Sequence, residues 1–394
     1  MIGIFYMFKE RLYISLERWM DMRTYMFHFL IFYSISFVQT QFLPFLTMLG
    51  YSITEKGFLL ASCAIIAVIV QFWLGYKSDT SNHSKRYYIM TYIMFLCSAC
   101  FLYTTTKQMF FVHIILVAIS GGLVKVLMGY DETWMLADQQ YDYGRLRAVG
   151  SLGFTVGALC ASFFMNQYHI SLIITIFCIM GILFLYLLSH QHVVLHKTQT
   201  YQFSWSILRK NKAYIQVVVA LTLIYLIGSA DQYLVIDKLQ ALDATRQQIG
   251  LKWALQAFVE IPILLYSTRL LHKISQRSLI LFGIAMFGIK FFLYGFVSSV
   301  QMIILVAALQ IVTLPLIMVA SKQMIQKLCP KEVFASAQLV AIAIFTGASM
   351  LCSPLLSSYL YKHLGINQSL YALSGCMLVP FFIIYRMKKT NKHD

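Results

Sequence analysis

Long apolar runs separated by short polar turns make up most of the chain. None of the runs shows the strict apolar–polar alternation that is typical of a half-buried strand. A helix needs roughly 20 mostly apolar residues to cross a bilayer, and lipid requires every backbone group to be bonded internally, which favours helices. We therefore predict twelve transmembrane helices, over about 25–49, 57–76, 87–106, 109–134, 148–165, 170–188, 214–236, 249–267, 278–297, 302–320, 333–360 and 369–385.

The composition agrees with a membrane protein. Apolar residues make up 59% of the chain and charged residues only 12%, whereas a soluble domain carries about 25% charged residues. These values exclude an ordinary soluble domain and predict an all-α integral membrane protein.

A net charge of +16 could indicate nucleic-acid binding, but the distribution of the basic residues argues against it. Lysine and arginine concentrate in alternate loops, which is the positive-inside pattern and predicts a multi-pass protein of the cell membrane with both termini cytoplasmic. The basic residues therefore indicate orientation, with affinity for anionic lipid headgroups, and no nucleic-acid partner is expected. The basic loops contain Lys77, Lys85, Arg86, Arg145, Arg147, Lys197, Arg209, Lys210, Lys212, Arg269, Lys273, Arg277, Lys322, Lys327, Lys331, Arg386, Lys388, Lys389 and Lys392.

A polar gap divides the twelve runs into six and six. Repeated halves with a site at their interface are typical of secondary transporters. We predict a cytoplasmic leader (1–24), an N-terminal bundle (25–189), a cytoplasmic linker (190–212), a C-terminal bundle (213–387) and a cytoplasmic tail (388–394). For the leader, the alternative is that translation starts at Met22.

Cysteines and histidines give no sign of a metal site. The eight cysteines are scattered, most of them within predicted spans, and the pair Cys97 and Cys100 has no histidine or second cysteine pair nearby. We interpret them as small buried apolar residues, and expect neither a metal nor another cofactor.

Charged residues inside the predicted spans are the candidates for function. Such a charge costs roughly 2.5–3.5 kcal/mol at a helix centre and usually marks a substrate or ion path. Lys125 shares a helix face with Glu132. Either these residues form ion pairs with each other or with another helix, or Lys125 lines a cavity as a substrate ligand. Glu260 is either a proton carrier or substrate ligand, or a structural partner of Lys290.

Three glycines at helical spacing, Gly150, Gly153 and Gly157, follow Arg147 in the fifth run. They form a face of small residues, which predicts that another helix approaches closely there.

Two segments carry a resemblance to a known family. Gly75 and Asp79, followed by the pair Lys85 and Arg86, resemble the loop motif of the major facilitator superfamily. Residues 143–154, which read YGRLRAVGSLGF, resemble the start of the fifth helix in its lactose permease and phenylpropionate permease branches, which include the associated domain of the superfamily.

The second half of the chain extends the resemblance. Residues 253–262 resemble the eighth helix of the phenylpropionate permease group, and Asp231 with Gln232 resembles the seventh helix of lactose permease. Residues 331–338 resemble the start of the eleventh helix, so that the likeness runs from about 25 to 385. It implies the major facilitator fold, with twelve transmembrane helices in two six-helix bundles.

The resemblance also implies a role for Arg147, which in that branch bonds the substrate and pairs with an acid of the fourth helix. Asp138 is the best match for this acid, with Asp131 or Glu132 as alternatives. For Arg147 itself, the alternative is a salt bridge at the cytoplasmic edge that holds two helices together. Phe154 matches an aromatic residue that stacks on the substrate; its alternative role is core packing.

In the C-terminal half, Asp231 and Lys290 match charged members of the proton-coupling network, and Glu260 lies near a position that contacts substrate. Where lactose permease has a histidine and a glutamate in its tenth helix, this chain has Gln310 and Thr313. Gln310 is therefore predicted to bind substrate, and Glu260 is our first choice for proton carrier.

The buried charges and the resemblance together predict a permease that couples a proton gradient to symport of a small polar or weakly acidic solute. The resemblance implies a monomer, and sugars, oligosaccharides, nucleosides and aromatic acids as candidate solutes. The alternative is efflux of drugs or metabolites by proton antiport. An enzyme is not expected, because His28 and His113 lie in separate spans with no acid near them in the sequence to support a nucleophile and base.

Overall fold

Twelve long helices form the protein in a computed structural model that describes residues 22–80, 84–137, 142–167, 170–190, 205–329 and 334–387. Two short helices, Trp205–Lys210 and Ser267–Lys273, precede α7 and follow α8. The long helices are α1 Met22–Met48, α2 Ile53–Ala61 with Cys63–Thr80, α3 Ser84–Thr104, α4 Phe110–Ala137, α5 Tyr143–Gln167, α6 Ile170–His190, α7 Lys212–Ala241, α8 Arg246–Leu265, α9 Gln276–Phe296, α10 Val300–Leu328, α11 Phe334–Leu364 and α12 Ile366–Arg386.

These helices have the length and composition of membrane spans. In the described part of the chain, eleven are long and apolar enough to cross a bilayer, and the apolar part of α6, Ile174–Ser189, is shorter. Large apolar side chains cover the outer surface; Phe111, for example, is 83% exposed. Such a surface would associate in water and is suited to lipid. The predicted all-α membrane fold is confirmed.

Capping residues set where several helices start, and these starts come before the first residues of the predicted apolar runs. Ser52 and Glu55 form a reciprocal capping box at α2, and Thr245 and Gln248 form another at α8. At α10, the hydroxyl of Ser299 accepts a hydrogen bond from a backbone N–H of the first turn. Among the helix starts, the largest difference is at α5, which begins at Tyr143 and not near 148, because Arg145 and Arg147 are helical despite their charge.

Two of the helices are interrupted near their centres by a turn of 3₁₀ helix. The interruption is Ser229–Gln232 in α7 and Ala308–Val312 in α10. Asp231 and Gln310 lie in these turns. Interrupted helices in transporters typically line the substrate path, where irregular backbone is tolerated away from lipid.

We call α1–α6 the N-terminal half and α7–α12 the C-terminal half; the proximal face is the side at which α1 begins, and the distal face is the opposite side. Among the described residues, the most extensive contact between the halves is that of α5 with α8, followed by that of α2 with α11. The residues that connect the halves are therefore concentrated on four helices.

Within the N-terminal half, α5 lies close against α1 through its glycines. A methyl group on Gly153 would meet the backbone of Phe29, and one on Gly157 would meet the backbone of Tyr33. A methyl group on Gly150 would meet only the ring of Phe32. The predicted close approach of a helix to this face is confirmed, and the partner is α1.

Candidate functional site

Asp231 is held between two buried lysines in the interior of the C-terminal half. Its Oδ1 lies 2.9 Å from Nζ of Lys252 in α8, and its Oδ2 lies 2.8 Å from Nζ of Lys290 in α9. The amide of Gln256 also donates to Oδ2. Lys252 and Lys290 are both 0% exposed. Buried charges are tolerated when they are paired in this way, so the two ammonium groups supply counter-charge to the carboxylate of Asp231.

Lys290 extends this cluster to α10 and back to α8. Its ammonium donates to Oε1 of Gln310 at 2.7 Å, and the amide nitrogen of Gln310 donates to Oε1 of Glu260 at 2.9 Å. The hydroxyl of Thr313 donates to Oε1 of Gln310. We call this set the C-terminal network; its members are Asp231, Lys252, Gln256, Glu260, Lys290, Gln310 and Thr313.

The C-terminal network contains two carboxylates and two ammonium groups, so its formal charges cancel. Glu260 makes no ion pair with Lys290 within 4 Å in the described part of the chain. A neutral amide, Gln310, stands between the two charged groups. The alternative prediction, a direct ion pair between Glu260 and Lys290, is therefore wrong: Gln310 bridges the two residues by hydrogen bonds.

A small cavity of about 50 Å³ lies between the halves. Of the described residues that line it, Lys125 of α4 alone is charged. The Lys125 ammonium has no hydrogen-bond or ion-pair partner in the ranges that the structure describes; Glu132, the alternative partner, pairs with Lys322 instead. The lining consists of Gln39, Phe42, Leu43, Leu60, Cys63, Gly121, Val124, Lys125, Gln232, Tyr233, Trp253 and Met350.

Arg147 lies in the first turns of α5, near the proximal face. Its Nη1 donates to the hydroxyl of Ser151 at 3.1 Å, and its guanidinium lies 4.6 Å above the ring of Phe32. No described carboxylate lies within 4 Å of this guanidinium, and Glu132, one of the acids predicted to pair with it, pairs with Lys322 instead. Arg147 is thus a cation without a direct ion pair among the described residues.

Two further residues complete the sequence predictions around Arg147. Asp138, the predicted acid partner, lies outside the described residues. Phe154 is partly buried and its ring centroid lies 6.3 Å from that of Trp253, a cavity-lining residue. Phe154 therefore packs behind the cavity wall and is not itself among the lining residues.

An ion pair joins the halves near the proximal face. The ammonium of Lys322 in α10 pairs with Glu132 of α4, and it also donates to the hydroxyl of Tyr143 in α5 at 2.8 Å. The Tyr143 hydroxyl donates to Glu132 at 2.7 Å. We call these three residues the proximal bridge.

A second ion pair joins the halves near the distal face. The ammonium of Lys56 in α2 lies 2.6 Å from Oδ1 of Asp237 in α7, and it also donates to the hydroxyl of Thr47. That hydroxyl donates to Gln240 at 3.0 Å. We call Lys56, Asp237, Thr47 and Gln240 the distal bridge. The halves are therefore connected by charge on both sides of the cavity.

A buried histidine and a buried aspartate lie together in the N-terminal half. Nδ1 of His28 in α1 is 2.8 Å from Oδ1 of Asp131 in α4, and the two residues are 4% and 0% exposed. The second carboxylate oxygen of Asp131 and the hydroxyl of Tyr88 have no hydrogen-bond partner among described residues. Of the three acids considered for the fourth helix, Asp131 pairs with this histidine and Glu132 belongs to the proximal bridge.

The loop motif lies at the end of α2 and the start of α3. Gly75 and Asp79 are in the last turns of α2, where the structure describes the backbone but not the side chains. Lys85 donates to the backbone carbonyl of Ser189 at 2.6 Å, which links α3 to α6, and Arg86 is exposed.

Sequence reasoning missed several of these residues. Lys252 lies inside the predicted run 249–267, so the cost of charge in a membrane pointed to it as strongly as to Lys290. Lys56 and Asp237 flank the runs 57–76 and 214–236, where a charge is normally assigned to a loop. His28 and Asp131 are 103 residues apart, and nothing in either segment signals the other.

Comparisons with known proteins agree with this geometry. The sequence matches the MFS_1 like family over residues 22–372, and no curated protein sequence gives a significant match. A structure of a variant of the nucleoside transporter NupG is similar with a TM-score of 0.78, 16% identity, and coverage of 94% of this chain and 100% of that chain.

Two other solved structures share the fold. A D-xylose–proton symporter has a TM-score of 0.68 and 14% identity, and covers 93% of this chain and 96% of that chain. A human organic anion transporter has a TM-score of 0.67 and 12% identity, and covers 93% and 99%. Identities this low show the fold alone. The family match extends over most of the chain, and the protein therefore belongs to the MFS_1-like family of major facilitator superfamily secondary transporters and is not an enzyme.

Proposed function

We propose that the protein is a proton-coupled symporter that imports a small polar or weakly acidic solute by alternating access. Sugars, oligosaccharides, nucleosides and aromatic acids are the candidate solutes. We place its function in the branch of lactose permease and phenylpropionate permease, and its location in the cell membrane, with both termini and the proximal face cytoplasmic. Two structural neighbours, a nucleoside transporter and a D-xylose–proton symporter, support this choice.

The observation that carries the proposal is the environment of Glu260. Its only hydrogen-bond donor in the described part of the chain is the neutral amide of Gln310, and no lysine lies within 4 Å. Asp231, by contrast, has two ammonium groups. A proton taken up by the C-terminal network therefore goes to Glu260, while Asp231 and Lys290 hold Gln310 in place.

Arg147 connects the proton to movement of the halves. It is on α5, Glu260 is on α8, and these two helices form the main contact between the halves. Protonation of Glu260 removes its attraction for Arg147 and weakens this contact near the proximal face. Opening toward the cytoplasm then breaks the proximal bridge, and opening to the outside breaks the distal bridge, so one ion pair holds the halves together in each state.

Transport in proteoliposomes tests the coupling. Wild-type protein is expected to accumulate at least one labelled compound, from a panel of sugars, nucleosides and aromatic acids, when an inward proton gradient is imposed. Glu260→Gln is expected to lose the dependence on the gradient and still exchange the solute between equilibrated compartments. Uptake by wild-type protein that does not respond to the gradient would exclude coupling.

Glu55→Gln is the matched control for this experiment. Glu55 is exposed at the start of α2, and glutamine preserves its capping box. Its gradient dependence should equal that of wild type. A loss in both variants would mean that the effect of Glu260→Gln is not specific to the C-terminal network.

A further inference from the structure

Lys125 differs from the buried lysines of the C-terminal half in having no counter-charge. Lys252 and Lys290 share Asp231, whereas Lys125 has no acid within 4 Å in the described ranges. It lines the cavity, and no described acid lines the cavity with it. A cation in a largely apolar space between membrane helices is costly unless something balances it.

A second donor lies in the same cavity wall. Trp253 of α8 lines the cavity, and its indole N–H has no hydrogen-bond partner among the described residues. An indole nitrogen donates and does not accept, so it needs an acceptor. The cavity wall therefore combines an ammonium group from the N-terminal half with a residue of the C-terminal half whose buried N–H is unsatisfied. Both groups are complementary to an anion.

The remaining lining supplies the setting for such an anion. Gln39 and Gln232 bond to each other across the halves at 3.0 Å, and Phe42, Leu43 and Leu60 provide an apolar side. Hydrogen bonds from charged donors strengthen in surroundings of this kind, because little water competes for them.

We infer that the transported solute carries an oxyanion, a carboxylate or a phosphate, that binds the ammonium of Lys125 and the indole N–H of Trp253. This inference rests on the proposed function, since it names the solute class for the same cavity. An anion held by donors from both halves favours the state in which the cavity is closed. The solute itself thus supplies the charge that Lys125 lacks.

Matched pairs of acids and neutral analogues test the inference on the purified full-length protein. The pairs are uridine monophosphate with uridine, glucuronate with glucose, and benzoate with benzamide. Thermal shifts of wild type, Lys125→Gln and Lys125→Arg are measured with each compound. The phosphate pair and the two carboxylate pairs separate the two kinds of oxyanion.

A shift by the acid alone in at least one pair is the expected result. Lys125→Gln should weaken binding of that acid roughly tenfold or more, the loss expected for a charge-assisted hydrogen bond. Lys125→Arg should retain most of it. The inference is overturned if no acid shifts the wild-type protein more than its neutral analogue does, or if Lys125→Gln binds the acid as tightly as wild type.

A failure here is distinguishable from failure of the proposed function. Proton-driven uptake of a neutral member of the panel would overturn the inference and leave the symporter proposal standing. The wild-type comparison needs no variant, so it decides the question even if Lys125→Gln does not fold.

Discussion

The two halves of the molecule stabilise their interiors in different ways. In the C-terminal half, α7, α8, α9 and α10 meet through the C-terminal network, in which two acids and two lysines balance each other. In the N-terminal half, α5 lies against α1 through glycines, and the cation Lys125 faces the cavity without a counter-charge. The charges of the C-terminal network therefore stabilise the structure, whereas the charge of Lys125 is available to bind a solute.

The largest effect is expected from Asp231→Asn. It leaves Lys252 and Lys290 buried without a carboxylate, and breaking one side of a buried ion pair costs about 3–5 kcal/mol. The measurement is the free energy of unfolding in detergent. Asp142→Asn is the control, because Asp142 is an exposed residue at the start of α5 and asparagine caps helices equally well; a change below about 0.5 kcal/mol is expected. Equal losses in the two variants would show that the network does not hold the C-terminal half together.

The next effect tests the glycine contact of the N-terminal half. Gly153→Ala forces a methyl group against the backbone of Phe29, and overpacking of this kind costs about 1–3 kcal/mol. Gly150→Ala should cost less, since the ring of Phe32 is able to move. Gly375→Ala is the control, with no atom within 4 Å of the added methyl group, and should be neutral or slightly stabilising. If Gly153→Ala matched this control in thermal unfolding, α5 and α1 would not be in close contact.

The proximal and distal bridges allow a comparison of how strongly each one keeps its face of the protein closed. The distal pair is the more buried, with side chains 7% and 10% exposed for Lys56 and Asp237, against 22% and 32% for Lys322 and Glu132. An ion pair near the surface contributes about 0.2–1 kcal/mol of free energy. The distal bridge should contribute more, because it is more buried. Asp237→Asn is therefore expected to favour opening at the distal face more strongly than Glu132→Gln favours opening at the proximal face.

Cys63 provides a native probe for this experiment, because it is buried and lines the cavity. In a variant with the other cysteines replaced by serine, a membrane-impermeant maleimide labels Cys63 from the side that opens. A shift of 1 kcal/mol changes the open population roughly fivefold. Labelling that rises from the same side in both variants would contradict the assignment of one bridge to each face.

The sequence predicted much of this architecture and only part of the site. Helix number followed from run length, because lipid leaves few alternatives to a helix. Asp231, Glu260 and Lys290 stood out because charge in a span is costly. Their partners did not stand out. Lys252 lies inside the run 249–267 and was not singled out, and the bond between Lys290 and Gln310 depends on the 3₁₀ turn of α10, which no local sequence signal predicts.

The smallest effect on stability is expected from Lys125→Met. Set beside Lys290→Met, it compares an unpaired lysine with a paired one. Methionine has a similar volume and no charge, so the substitution removes an unbalanced ammonium group and leaves no acid exposed to the interior. The free energy of unfolding should change by less than about 1 kcal/mol, or rise, as at sites where a functional residue is kept at a cost in stability. Lys290→Met is the matched comparison and should lose about 3 kcal/mol or more, because Asp231 then loses one of its two cations. If both variants lost the same amount, Lys125 would have a structural partner, and the distinction between the two halves would fail at the residue on which the solute class depends.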